Sequence, residues 1–171
     1  MLKVNFTFDE KTYRHAVNGH ESVLHCHHYM CLTTKLAHNF AVLGGVRILR
    51  ETAEDSIRPL LDSYISENKV ASPDERLNVG REYYSVCGMG QMEIIGDESG
   101  GQVKLSHSHV DEGWQKKWGK SDKPVNDFSC GFIAAIFAAA SDKPARSYEA
   151  AEEKSMAAGE SCSVITVKKA K

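Results

Sequence analysis

The stretch from Gln91 to His109, QMEIIGDESGGQVKLSHSH, decides the fold. Met92, Ile94 and Ile95 are followed by the polar run Gly96, Asp97, Glu98, Ser99, Gly100 and Gly101. Val103, Leu105, His107 and His109 then alternate with polar residues. Apolar spacing of period two, interrupted by a polar glycine-containing turn, marks two antiparallel strands joined as a hairpin. The same alternation puts His107 and His109 on the face of Val103 and Leu105, so both imidazoles are expected against the core.

The sequence on either side of this hairpin reads mainly as helix. Upstream, Val46, Leu49, Ala53, Ile57, Leu60 and Tyr64 recur at steps of three and four, an apolar stripe in which Pro59 is expected to cause a kink. A helix is also expected between about Ser22 and Phe40, before Gly44 and Gly45 break the pattern. Ser72, Pro73 and Asp74 read as a helix start leading to Cys87, Gly88 and Gly90. At the very beginning, Leu2, Val4, Phe6 and Phe8 alternate with polar residues, as in a strand with one wet face. Downstream, Trp114 and Trp118 lie one turn apart in a short helix, and Asn126 or Asp127 can cap a buried helix through Phe128, Phe132, Ile136 and Ala139. Tyr148 to Ala158 has helical composition, and Cys162 to Lys168 alternates like a strand. No repeat or linker divides the chain, so one domain over 1–171 is expected: α/β (α+β), an antiparallel sheet packed mainly on one face by helices.

Composition narrows the function classes. The chain has 171 residues, 42% of them hydrophobic and 26% charged, with a formal net charge of −2. A domain of this size removes roughly two thirds of its unfolded surface from water, so neither disulfides nor metal is needed for stability alone. A sequence pI near 6.4 argues against nucleic acid, whose backbone is bound by an excess of Lys and Arg. No apolar run approaches the roughly 18 residues that span a bilayer, so no membrane partner is expected. No secretory signal is visible and the five cysteines are irregularly spaced, which points to a cytoplasmic protein with reduced thiols.

Three groups of residues can carry chemistry. In His25, Cys26, His27, His28, Tyr29, Met30 and Cys31, a helix would place His27 or His28 on the same face as Cys31, which suits a ligand, a metal or plain polar packing. Which of the three histidines faces inward is open. His107 and His109, with Trp114, can orient a polar group, hold a metal, or simply hydrogen-bond their neighbours. The third group is Cys130 with the C-terminal run Glu152, Glu153, Lys154, Ser155, Met156, Ala157, Ala158, Gly159, Glu160, Ser161 and Cys162.

A buried Gly/Ala-rich helix with an early Cys, then Glu, a small residue, a Gly turn and a Cys before a closing strand, resembles the V4R domain. That family is also called the 4-vinyl reductase or hydrocarbon-binding domain, and its fold is related to Bet3-type transport proteins. The resemblance is strongest over 91–167. It implies that Tyr148 to Ala157 is a strand turning at Gly159 into a closing β-hairpin, despite its helical composition. It also implies an apolar pocket for an aromatic, hydrocarbon or tetrapyrrole-like ligand, and a homodimer. In phenol-sensing members, zinc is held by a Cys in the buried helix and by a Glu, a Cys and a final Cys in the hairpin. Carried over by motif, these fall on Cys130, Glu152 and Cys162, with Ser155 where the remaining Cys would stand.

The expectation is therefore a free-standing domain binding a small organic molecule, with His27, His28, Cys31, His107, His109 and Trp114 as ligand contacts. The rival is a zinc- or iron-dependent enzyme using the same histidines and cysteines on a small organic substrate.

Overall fold

The computed structural model describes residues 2–171. Three short strands come first: β1 (Phe6–Asp9), β2 (Arg14–Val17) and β3 (His20–Ser22). Helices α1 (His27–Asn39), α2 (Gly45–Glu67) and α3 (Pro73–Val86) follow, then the hairpin β4 (Gly90–Asp97) and β5 (Gly100–Ser108). The chain closes with α4 (His109–Trp118), α5 (Asp127–Ala140), β6 (Tyr148–Lys154) and β7 (Ser163–Lys169). The strands form two antiparallel sheets, ordered β1-β2-β3 and β4-β5-β7-β6.

Helix α5 is the centre of the body. Its sequence, DFSCGFIAAIFAAA, carries no polar stripe, and a helix apolar on every side must be covered on every side. It packs against α2, α3 and β6, and all of its residues except Phe128 are buried. Two glycines set the closeness of this packing. A Cβ on Gly131 would meet the Arg50 carbonyl oxygen at 2.1 Å, and one on Gly80 would meet the Ile136 side chain at 2.5 Å. Around α5 the core is filled by Leu61, Tyr83, Tyr84, Val103, Leu105 and Ile165.

Several starts and stops follow from local sequence. Ser72 caps α3 in a reciprocal pair with Glu75, and Pro73 takes the first turn, where a missing N–H costs nothing. Asn126 caps α5 by accepting from the Ser129 N–H. Pro59 stands inside α2, which continues through it. The segment of helical composition from Tyr148 is the edge strand β6, as the V4R resemblance implied: its alternate residues Tyr148 and Ala150 are buried, and pairing with β7 outweighs intrinsic propensity.

Two expectations are corrected. The register between β4 and β5 slips at Gln91 and Met92, so that Met92 pairs with Leu105 while Gln91 pairs with His107. This bulge reverses the alternation. Leu105 points inward, His107 is exposed, and Ser108 takes the buried place. The N-terminal strand also differs: it begins at Phe6 rather than Leu2, and every residue of β1 is exposed.

No described helix is long and apolar enough to cross a membrane.

Candidate functional site

The first residues of α1 and α4 are histidines, and the two helices bring them together. The His27 and His109 rings stand edge to face with centroids 4.2 Å apart, and the His25 ring lies 5.4 Å from His109. The contact is close because Gly113 faces α1. A Cβ there would lie 2.8 Å from both Cys31 Sγ and His27 Cβ. Cys31 is fully buried and donates to the Val110 carbonyl at 3.5 Å; burial, then the charge of Asp111, pushes its thiol up to about 11. Trp114 packs with Cys31, Val125 and Ala157 in a small core of its own, 4.7 Å from the Trp118 ring and 5.6 Å from the Lys35 ammonium.

His109 is the unusual member of this group. Its Nε2 atom is buried without a hydrogen-bond partner, and burial, followed by the neighbouring His27 and His25, holds its pKa below the ordinary value. A neutral imidazole with one free, sheltered nitrogen can donate to or accept from a ligand hydroxyl. Beside it, Cys26 is exposed at the start of α1, and the Tyr29 and His28 backbone N–H groups draw its thiol pKa down.

Of the six expected ligand contacts, His27, Cys31, His109 and Trp114 come together, and His25 joins them. The other two face solvent. His28 is exposed, and His107, also exposed, pairs with Glu112 at 3.2 Å. The bulge in β5 is the cause for His107.

A second group of polar residues lies under the C-terminal hairpin. Asp111 is completely buried and accepts on both oxygens: from Ser155 Oγ at 3.0 Å and the Ala157 N–H at 3.3 Å on one, and from Ser108 Oγ and Asn126 Nδ2 (2.6 Å) on the other. Glu152 Oε2 accepts from the Val125 and Asn126 N–H groups at 3.1 and 3.0 Å, while its Oε1 is buried without a partner. Burial and the nearby Asp111 charge push the Glu152 carboxyl up to about 7. Sequence reading passed over Asp111 because Ser108 and Asp111 look like an ordinary helix start, and Ser108 does cap α4.

The implied zinc ligands do not fit a metal. Among the described residues, no three His, Cys, Asp or Glu side chains converge as a metal site. Cys130 is buried and burial pushes its thiol up to about 12; Cys162 is partly exposed in the turn before β7. Buried beside Glu152 are instead two hydroxyls, Ser155 and Ser163.

A third feature is a groove of about 740 Å³ between α2, α5 and β6, bordered by Arg50, Glu54, Arg146 and Glu149 as well as small apolar residues. It is open and charged, unlike the enclosed apolar pocket that was expected. Next to it, Asp127 accepts from Arg50 Nε at 2.8 Å and meets His38 Nε2 at 2.7 Å. Burial pushes the Asp127 carboxyl up, but the His38 hydrogen bond and the Arg50 charge outweigh it and hold it below the usual range.

No protein-family model and no curated protein matches the chain. Solved structures do. The phenol-responsive sensory domain of the transcription activator PoxR, in complex with phenol, superposes with a TM-score of 0.76 over 96% of this chain and 84% of that one, at 14% identity. A vinyl-4-reductase family protein from Methanocaldococcus jannaschii matches with a TM-score of 0.54 at 17% identity, covering 88% of this chain and 85% of that one. Subunit 3 of a trafficking protein particle complex from Naegleria fowleri, covalently bound to palmitic acid, matches with a TM-score of 0.52 at 12% identity, over 81% of this chain and 95% of that one. The element order, the four-stranded antiparallel sheet and the central buried helix thus belong to the fold of V4R domains and Bet3-like trafficking subunits, and this chain has that fold.

Proposed function

We propose that this chain is a small-molecule-binding domain that takes an aromatic or other largely apolar ligand bearing a hydroxyl or similar polar group. The observation that carries this reading is the buried, unpartnered Nε2 of His109, framed by His27 and His25. A sheltered polar atom without a partner costs about 1–3 kcal/mol, and a ligand hydroxyl returns that hydrogen bond. The likeness to a phenol-responsive sensory domain over nearly the whole chain supports the same class of ligand.

The domain acts as a homodimer in this proposal. Tyr29, Leu32, Leu36 and Phe40 recur at helical spacing along α1 and are all at least half exposed, with Val42, Leu43 and Ile48 extending the apolar surface. A row of exposed apolar side chains at helical spacing is what a second copy of the same chain would cover.

The test is calorimetric titration of the full chain with phenol and substituted phenols, with each compound recovered and identified afterwards. Wild type is expected to bind and return the compound unchanged, and His109→Phe to lose at least about tenfold in affinity. Equal affinity in the variant would overturn the assignment of His109. Conversion of the compound, abolished by a chelator, would replace the binding module with the zinc- or iron-dependent enzyme.

A further inference from the structure

We infer that the tie between α5 and the β6–β7 hairpin, which the V4R resemblance would assign to zinc, is made in this chain by a metal-free hydrogen-bond network centred on Asp111.

The chemistry of the donor set carries the argument. A structural zinc takes four ligands drawn from thiolates, imidazoles and carboxylates. Here the position matched to the third ligand is Ser155, whose hydroxyl is committed to Asp111 Oδ1. At the start of β7 the buried residue is Ser163, which accepts from the Met156 N–H at 2.9 Å; Cys162 stands one residue earlier and partly exposed. The register of the hairpin therefore puts a second hydroxyl, not a thiol, beside Glu152. Only Cys130 and Glu152 remain as ligands, two short of a closed site.

What replaces the metal is a residue from another element. Asp111 comes from α4, and its four donors come from the end of β5 (Ser108), the cap of α5 (Asn126) and the hairpin turn (Ser155 and Ala157). Asn126 Nδ2 also reaches Ser108 Oγ at 2.8 Å, and beyond the cap Ser129 meets Tyr84 OH at 2.9 Å. A fully buried carboxylate with four donors is satisfied, and removing its charge or a donor strands polar groups away from water. The network thus does what a metal would do: it fixes the hairpin to α5 by contacts that fail together.

The experiment is elemental analysis and thermal melting of the untagged full chain, with and without added zinc and chelator, for wild type and three variants. Wild type is expected to hold less than about a tenth of a zinc per chain and to melt at the same temperature with chelator. Asp111→Asn is expected to lower the melting temperature by about 5 °C or more, regardless of zinc. If that variant does not fold, Ser155→Ala, which removes one donor, should give a smaller drop that is equally blind to zinc. Ser155→Cys combined with Ser163→Cys should take up about one zinc per chain. Stoichiometric zinc in wild type, with a melting temperature that falls on chelation, would overturn the inference. So would an Asp111→Asn or Ser155→Ala chain as stable as wild type, or a double-cysteine chain that takes up no zinc.

Discussion

Every residue of β1 is exposed, including Phe6 at 67% and Phe8 at 49%, whereas α5 buries all but one of its residues. Among the described residues, the N-terminal segment meets the body through the Lys3 N–H donating to Tyr64 OH at 2.8 Å, Asn18 reaching Tyr83 OH, the Leu2 N–H meeting Glu82, and Leu2 and Val17 packed against the core. The body is complete within one chain. The arm is made of short strands with little cover, which are marginal in water by themselves, and one face of α1 carries exposed apolar side chains. The difference is between a body that covers its own apolar surface and an arm and helix face whose apolar residues stand exposed.

The largest effect should come from the self-sufficient half. Phe132 is buried against Tyr84, with ring centroids 5.2 Å apart, and Phe132→Ala should cost about 3–5 kcal/mol in urea unfolding. A cost under about 1 kcal/mol would mean that α5 is not the centre of stability.

Under the proposed homodimer, the exposed face should fail in association rather than in folding. Leu36 is 58% exposed on α1, and Leu36→Asp should weaken the homodimer about 10- to 100-fold in sedimentation equilibrium while leaving the unfolding of the monomer unchanged. A wild-type chain that is monomeric at every concentration would remove the comparison's second term.

Two smaller effects concern pH. Glu152 is raised from an ordinary 4.5 to about 7, so the folded chain holds a proton that the unfolded chain has released between those values. Stability contributed by that proton is present below pH 4.5 and is lost as pH rises through about 7. Glu152→Gln stays neutral, keeps an oxygen for the Val125 and Asn126 N–H groups, and should therefore gain a few degrees in melting temperature over wild type above pH 7. His109 runs the other way and more weakly. Its pKa is lowered from 6.5, so the unfolded chain binds the proton first and stability falls as pH drops below about 6.5. A His109→Phe chain should show a shallower acid limb in melting temperature than wild type.

Much of the fold was legible in the sequence because the signals were local. The hairpin, the Ser72–Pro73 helix start and a cap at Asn126 or Asp127 each rest on a few adjacent residues; all three stand in the structure, with Asn126 as the cap, although the hairpin ends at Ser108 and His109 opens α4 instead. The edge strand β6 was legible only through family resemblance. Its helical composition is outweighed by a ladder to β7 that no window of sequence contains. At the site, His27 and His109 were found separately, by clustering and by spacing, but the alternation that singled out His107 breaks at a bulge. Asp111 was missed because its role needs four elements to meet.

The sequence by itself determined that α5 lies at the centre, since a helix apolar on every side has nowhere else to go, and that the β4–β5 hairpin stands among helices. Only the tertiary structure decided which polar residues meet. The meeting of His25, His27 and His109, the four donors on Asp111, and the placing of Ser163 rather than Cys162 beside Glu152 depend on helix packing and strand register. A shift of one residue in register reverses which side chains are buried, and neither composition nor spacing records that shift.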